Sequence, residues 1–571
     1  MTFQRQTAAL RSHLAIVPGA DRLRELLPDV DFGEELVGAI IDEASRFSAE
    51  VLAPFNPQGD RLGCTLENGR VRTAAGHQQA WQAFVDGGWP TLGFPAEHDG
   101  QGMPLLVENA CEELFNRGSS AFMMLPTAMR CAGRLLLRHG SEALQQEWLG
   151  PLARGEWGAT ICISEPDAGS DLARVRTMAE PKVGNYWAVS GEKIWISFGD
   201  HDLADRIGHV VLARTPDAPA GSRGLSLFLV PTTIDDIHNR IVTRRIEEKL
   251  GLHASPTCAL GFEGSTGYLI GELHRGLPQL FAMITAMRLA VGSQAVGLAT
   301  QAVETALAYA AERKQGGPAD APPLAISSHA DVQRQLLAMA ARTEVMRGLV
   351  LACSVLADLA ELETDETAKG RAAALLGWLL PITKNEGAET AFAVASDAIQ
   401  VLGGAGYTKE WPVEQILRDA RVLAIYEGTS GMQALDLLHR RLWRDDEAGL
   451  HAFVRSARGD VAKAGSTAAA EALSAVIDQL EVASGWLGQW HETPRRAEAG
   501  AYHYLTLASL AATGWIALRL AGIAGTSPTE QRLAACGRYW LRELPGRAAL
   551  EAQRATQGDA GLAEFLYLAA D

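Results

Sequence analysis

One change of texture constrains this 571-residue chain more than any motif. From about residue 158 to 270 it breaks into short alternating pieces: GATICIS, YWAVSG, EKIWIS, HVVLAR, GLSLFLVP and CALGFEG. Gly, Pro and Asp punctuate them, and no helical pattern of ten or more residues intervenes. That predicts an all-β module and argues against βαβ units. Helical patterns flank it on both sides. In GEELVGAIIDEASRFSAEVLAPFN (33–56) apolar residues recur at three- and four-residue spacing, and Pro54 predicts the end of that helix. ENACEELFNRGSS and MRCAGRLLLRHG predict two more. Long helical runs return over 277–440, and 446–571 is an Ala/Leu-rich helical segment with a predicted loop at GTSPTE. The fold class is therefore mostly α with a central β domain. Its expected parts are an N-terminal extension 1–34, a helical domain 35–157, the β domain 158–272, a helical domain 273–445 and an extra C-terminal helical domain 446–571. About three to five domains is also what the length predicts.

Composition narrows the function classes. Hydrophobic residues at 47 % and charged ones at 21 % fit a soluble globular protein. A net charge of −17 argues against nonspecific nucleic-acid or anionic-membrane binding. Seven cysteines with no CxxC predict neither a disulfide framework nor a zinc site, and so a reducing, cytoplasmic setting. The start offers only the short apolar run LAIVPG, so no secretory signal is expected. No charge-free run of about 20 apolar residues predicts a membrane span. GxGxxG after a strand, GxxxxGK[ST] and HExxH are all absent, which leaves a nicotinamide Rossmann site, a P-loop and a zinc hydrolase unsupported; no metal site is expected.

Three segments carry chemistry. ICISEPDAGSDLARVRT (161–177) leaves a strand and enters a loop with Ser164, Glu165, Gly169, Ser170 and Asp171. Such a loop offers N–H groups and hydroxyls to a flat polar ring or a phosphate, and equally well closes a hairpin. In EKIWISFGDHD (192–202), Trp195 and Ser197 lie two apart on a strand and so share a face. An aromatic plane beside a hydroxyl suits a heteroaromatic cofactor; a core Trp with a solvent-facing Ser is the plainer alternative. In VLAIYEGTSGMQALDLLHRRL (422–442) an apolar run delivers Glu427, followed by Gly428, Thr429 and Ser430. A carboxylate in apolar surroundings serves as a base near neutral pH; the alternative is that Glu427 caps the helix starting near Ser430.

Taken together and in this order, the segments resemble the acyl-CoA dehydrogenase family. ISEPDAGSD resembles its TEPxAGSD loop, KIWIS its KxWIT strand, MRLAVGSQAVGLA its R-x-x-x-A-x-x-x-G helix, and QVLGGAGYTKEWPVEQILRDARVLAIYEGTS its C-terminal signature. The resemblance covers about residues 35–442. HDLADRIGHVVLAR, LLPITKNEGAE and EGTSGMQALDLLHRRL are similar to the large bacterial subgroup, 3-(methylthio)propionyl-CoA dehydrogenase-like, that carries an added C-terminal domain.

The resemblance implies a helical domain, a β-barrel-like domain and a four-helix bundle, followed by the extra domain. It implies FAD-dependent α,β-dehydrogenation of an acyl-CoA to a trans-2-enoyl-CoA, with electron transfer flavoprotein as partner. Glu427 matches the catalytic base. Residues 162–171, among them Cys162, Ile163, Ser164, Gly169 and Ser170, match the segment along the flavin, with Ser170 also near the CoA arm. Trp195, Ile196 and Ser197 match the strand against it. Arg288 matches the arginine bordering substrate and base, and Gly428 follows the base at the substrate. Thr429 matches a hydroxyl on FAD. Arg313, Gln400, Gly403 and Gly404 match groups that reach the FAD of a neighbouring subunit, which implies a homodimer.

Departures are visible. Ser164 and Ser197 replace threonines, and the family's RKTFG reads Arg313-Lys314-Gln315-Gly316-Gly317. Some members carry the base just before the arginine; here that residue is Met287, so Glu427 alone is available. The acyl pocket is expected along MMLPTAMRCAG (123–133) and Met283, Ile284 and Met287. Two rival functions share the scaffold. One is an acyl-CoA oxidase, which gives its electrons to oxygen. The other is a nucleic-acid-binding flavoprotein, which needs a basic C-terminal domain; residues 451–571 hold 11 Lys+Arg against 12 Asp+Glu.

Overall fold

The computed structural model describes residues 3–28, 30, 33–559 and 561–562; the other residues of the expected N-terminal extension and C-terminal domain lie outside the described residues. The chain forms two compact units. One comprises residues 43–290, the other residues up to 42 together with those from 291 onward.

Pro54 does not end its helix. The helix Glu34–Phe47 widens into a π-turn, Ser48–Leu52, and continues as Ala53–Leu62. Pro54 falls in the first turn of that continuation, where its missing N–H costs no hydrogen bond. The 35–157 stretch is not wholly helical either. A hairpin of β1 (Thr65–Glu67) and β2 (Arg70–Arg72) interrupts it. Its turn is Asn68-Gly69, both at positive φ, as a two-residue hairpin of this kind requires. The long helix Leu105–His139 breaks at Ser119, whose hydroxyl donates to Asn56 and accepts from the Phe122 amide. Phe47, Phe84, Trp89, Phe115 and Phe122 pack edge-on and tilted into one aromatic core.

The β domain closes on itself. Its remaining strands are β3 (Trp157–Cys162), β4 (Met178–Pro181), β5 (Tyr186–Ser197), β6 (Arg206–Arg214), β7 (Leu225–Pro231), β8 (Thr233–Ile234), β9 (Ile237–His238), β10 (Ile241–Ile246) and β11 (Thr257–Ile270). β11 pairs β5, β5 pairs β4, β4 meets β6 at Met178–Arg214, β6 pairs β7, and β7 returns to β11. That ring encloses Cys162, Val189, Ile196, Val211, Phe228, Cys258 and Leu260. β3 joins in parallel beside β6, β10 extends the far edge, and β8–β9 form a separate ribbon. Between β3 and β11 the only helices are single 3₁₀ turns, Leu172–Arg174 and Gly221–Gly224.

In the second unit, helices Ala330–Leu362 and Glu366–Leu402 pack together, and Pro494–Ala521 and Pro528–Ala555 of the C-terminal segment pack onto them. The last helix opens with a capping box of Ser527 and Glu530, so the end of the predicted loop is helical and the break between the two helices runs over 522–527. The first helix, Gln4–Ile16, belongs to this unit. Its buried His13 meets Glu344 at 3.1 Å, and Glu344 also takes Arg347 and Arg532. Gly276–Glu312 and Pro494–Ala521 are long and apolar enough to cross a membrane, but 67 % and 83 % of their most apolar windows are buried in the protein.

Candidate active site

In the β unit the site is a loop locked to a strand. After β3, residues Glu165 and Ala168 exchange two main-chain hydrogen bonds around Pro166-Asp167, so the segment does form the tight turn expected of it. The Glu165 carboxylate is buried. It accepts from the Arg176 amide (2.7 Å), the Thr177 amide and hydroxyl (3.1 and 2.6 Å) and Lys193 Nζ (2.8 Å). Burial alone would push this carboxyl up, yet Lys193 and the other donors hold it below the ordinary carboxylate range. Lys193, fully buried on β5, also donates to the Ile163 carbonyl, and the Ile194 amide donates to the Ser164 carbonyl. Loop 163–177 and the strand carrying Trp195 are thereby one piece.

Trp195 sits where β5 bulges. Cys258 pairs Ile196 and Leu260 pairs Lys193, so Ala259 faces two residues, Ile194 and Trp195. The bulge puts Trp195 at φ 64°, rare for a bulky residue, and leaves its indole 59 % exposed. Ser197 lies on the same side, opposite the core residue Ile196. Of the residues predicted to line a cofactor, Cys162 and Ile196 have core side chains, so only their main chain is available; burial pushes the Cys162 thiol up to about 12. Ile163 and Ser164 are half-buried, Gly169 and Ser170 exposed.

In the helical unit the site is a turn. Glu427 (φ 55°) and Gly428 (φ 91°) both take the left-handed conformation, which costs a non-glycine residue about 1–3 kcal/mol. Three side chains hold them there. Buried Lys384 donates to the Gly428 carbonyl at 2.7 Å. Buried Gln433 donates to the Glu427 and Gly428 carbonyls at 3.0 and 3.1 Å. The Tyr426 hydroxyl donates to Gln294. Glu427 itself is half-buried and is not the cap of the next helix. Thr429 is: its hydroxyl oxygen accepts from the Met432 amide (3.3 Å) at the start of Ser430–Leu435, leaving its proton to donate elsewhere.

At another end of this unit, Gly403, at φ 60°, terminates the helix Glu366–Leu402, and Gln400, Gly403 and Gly404 are exposed. The Tyr309 ring packs edge-on to Trp411 at 5.1 Å. Arg313, one turn beyond Tyr309, is exposed. Arg288 is half-buried on Gly276–Glu312, in the unit that holds Trp195. The wall expected of an acyl pocket is mixed. Met123 and Met283 are core, while Met124, Thr127 and Arg130 form a half-buried stripe. Thr127 donates to Glu112, and Arg130 bridges Glu112 and Glu108. Burial outweighs Arg130 at Glu112 and raises that carboxyl; at Glu108 burial is overcome by Arg130 and Arg134, which keep it low.

Residues 37–156, 160–265 and 274–442 match, in turn, the N-terminal, middle and C-terminal domains of acyl-CoA dehydrogenase. The chain belongs to the acyl-CoA dehydrogenase family. Residues 449–565 match a further description, "acetyl-CoA dehydrogenase C-terminal like". A 3-methylmercaptopropionyl-CoA dehydrogenase of Ruegeria pomeroyi is 41 % identical over 498 residues, 84 % of each chain. The broad-specificity linear acyl-CoA dehydrogenase FadE5 of Mycobacterium tuberculosis is 32 % identical over 74 % of this chain and 72 % of its own. In fold, the chain resembles the acyl-CoA dehydrogenase of Bacillus anthracis solved with FAD (TM-score 0.76, 21 % identity, 92 % of this chain and 88 % of that one). As an acyl-CoA dehydrogenase the chain is an oxidoreductase. Its sequence motifs showed Glu427 and Trp195, and Glu165 as a loop residue, but not the contacts by which Glu165, Lys193, Lys384 and Gln433 hold the two segments. Lys384 lies 44 residues from the carbonyl it binds, and no local pattern connects the two.

Proposed function

We propose that the chain converts an acyl-CoA to a trans-2-enoyl-CoA with Glu427 as base, FAD as cofactor and electron transfer flavoprotein as acceptor. The observation that carries this reading is the strained Glu427–Gly428 turn, held on its main-chain oxygens by Lys384 and Gln433. The residues present fit FAD. The indole of Trp195 is an open aromatic plane, and the hydroxyls of Ser164, Ser170 and Ser197 have no partner among the described residues. A Cβ at Gly169, Gly403 or Gly404 would meet nothing within 4 Å, so a ligand can approach the backbone there. Bound FAD supplies the acceptor for the electron pair that leaves with the β-hydrogen. Glu427 takes the α-proton onto its carboxylate. The Glu427 amide, set in its direction by the turn, donates to the thioester carbonyl and stabilises the charge that develops there. Arg288 matches the family's arginine at the substrate. Ser164 and Ser197 would bond the flavin edge, Thr429 would donate to the cofactor, and Gly428 follows the base at the substrate.

Arg313, Gln400, Gly403 and Gly404, all exposed, complete the FAD site of a second copy in a C₂ homodimer, with the added C-terminal domain packed on its own chain. The seven free cysteines support a reducing, cytoplasmic setting. The test uses the purified protein with acyl-CoAs from propionyl through palmitoyl. Methylthiopropionyl-CoA is included because of the Ruegeria relative. Without oxygen, a good substrate bleaches the flavin, and electron transfer flavoprotein restores it. A colourless protein that takes up no FAD, or a flavin that no thioester bleaches, overturns the reading. Rapid reoxidation by oxygen instead assigns an oxidase.

A further inference from the structure

We propose that Arg174 and Arg176 bind the 3′-phosphate of the coenzyme A moiety; this rests on the acyl-CoA reading above and names the part of the substrate it leaves unassigned. The two arginines and Asp167 line an open groove of about 580 Å³ on the β unit. Their side chains are 72 % and 79 % exposed. Each makes one ion pair, Arg174 Nε with Asp171 at 2.8 Å and Arg176 Nη1 with Asp167 at 3.2 Å. A guanidinium has five N–H donors, so most of each fork remains to be used. Exposed pairs of this kind contribute little, and a phosphate held by two forks displaces them readily.

The segment carrying these arginines is rigid. Glu165 holds the Arg176 amide, and Asp171 caps the Ala173 amide of the Leu172–Arg174 turn. Behind the turn, Arg214 donates to the carbonyls of Val175 (2.8 Å), Ala173 (2.7 Å), Gly221 (2.9 Å) and Pro219 (3.3 Å). Among the described residues Arg214 has no carboxylate partner, so its charge adds to the field at the groove. The Gly221–Gly224 turn, with exposed Arg223, packs against the Leu172–Arg174 turn. Four guanidinium groups thus gather on neighbouring loops of a chain whose net charge is −17. A polyanionic substrate approaching so acidic a protein needs such a local patch. The phosphomonoester suits two forks best, because it carries nearly two charges on three terminal oxygens, whereas each pyrophosphate phosphorus carries one. Ser170 stands four residues before Arg174 on the same loop, exposed, where the rest of the nucleotide arm can run.

The test compares thioesters of coenzyme A and of 3′-dephospho-coenzyme A, in the wild type and in an Arg174→Gln/Arg176→Gln variant. Both side chains are on the surface, so folding is not at risk. In the wild type, removing the 3′-phosphate raises KM about tenfold. The variant shows that higher KM with both thioesters, keeps its kcat and its FAD content, and no longer distinguishes the two. Raising the salt narrows the wild-type preference. Three results overturn the proposal: a variant that keeps the full preference, one that loses affinity for both thioesters equally, or one that loses FAD, which would give the arginines to the cofactor instead. A wild type that turns over neither thioester defeats the acyl-CoA reading itself.

Discussion

The β unit and the helical unit each hold one strained residue in place, and they do so by different means. Trp195 is kept at positive φ by a bulge in a ladder of strands, with the buried Glu165–Lys193 ion pair beneath it. Glu427 is kept at positive φ by side chains that reach for main-chain oxygens, Lys384 from the helix Glu366–Leu402 and Gln433 from the helix that follows the turn. A strand bulge orients a flat group well, which is all that an aromatic platform requires. A base must place one carboxylate within a fraction of an ångström of a C–H bond, and that calls for direct anchoring of its own peptide. The contrast extends to the charges. In the β unit a carboxylate and an ammonium are both consumed as structure. In the helical unit Lys384 is structure, and the turn it anchors carries the carboxylate proposed as the base.

The largest effect expected from this contrast is at Glu427. Glu427→Gln keeps the shape of the turn and removes the proton acceptor, so turnover falls about 10²–10⁴-fold. The flavin stays bound, because the platform belongs to the other unit. Stopped-flow reduction of the flavin by an acyl-CoA measures it. A variant retaining more than a tenth of the wild-type rate excludes Glu427 as the base, and one that loses its flavin shows that the two sites are not separable in this way.

The second effect is on stability and separates the units by pH. His77, His201 and His209 are buried in the β-containing unit, and burial lowers each from 6.5 to about 3. His77 is enclosed by Phe55, Phe122 and Phe198. His209 Nδ1 lies 2.7 Å from the Thr160 hydroxyl. A histidine held neutral in the fold but free to charge when unfolded stabilises the fold fully above pH 6.5. That contribution is lost as pH falls from 6.5 toward 3. Between pH 7.5 and 5.5 each contributes a loss of about 1.4 kcal/mol, roughly 4 kcal/mol for the three together. In the helical unit the buried carboxylate Glu344 is destabilised by burial but held well below its ordinary range by Arg347, His13 and Arg532. Its contribution is lost only below about pH 4.5. Hydrogen exchange at the two pH values therefore finds amides of residues 43–290 losing protection first. Equal loss in both units, or earlier loss in the helical one, would remove the distinction.

What the sequence made legible follows the same division. Alternation and helical spacing are local, so the β module, the helical runs and their order could be read directly. So could Glu427 and Trp195, because each lies inside a contiguous motif. The Asn68-Gly69 hairpin was equally legible, since that dipeptide is the strongest short hairpin signal, but the helical texture around it concealed it. Pro54 misled because a proline ends one helix and begins another with equal ease. The backbone at Trp195 was beyond reach: no residue type suggests a left-handed tryptophan, and only the pairing of β5 with β11 creates the extra residue. Lys384 was unreadable for a related reason, since a buried lysine's partner is set by how helices pack and not by spacing along the chain.

The smallest effect tests how the Glu427 turn is held. Gln433 and Lys384 both donate to the Gly428 carbonyl, and Gln433 also donates to the Glu427 carbonyl. Gln433→Leu strips the Glu427 carbonyl of that donor and leaves Gly428 with Lys384. The turn loosens without losing its shape, so kcat falls about tenfold while KM and FAD content barely change. Lys384→Met does the reverse, leaving Gly428 with Gln433. Because the two donors share an acceptor, the double variant should lose more than the product of the single losses, as residues in one network do. The measurement is a double-mutant cycle on kcat, read alongside the pH profile of flavin reduction. A shift in the profile with the fall in kcat marks a change at the base itself, which a loss of packing alone would not produce. If the losses simply multiply and the profile stays fixed, Lys384 and Gln433 support the helices and not the base.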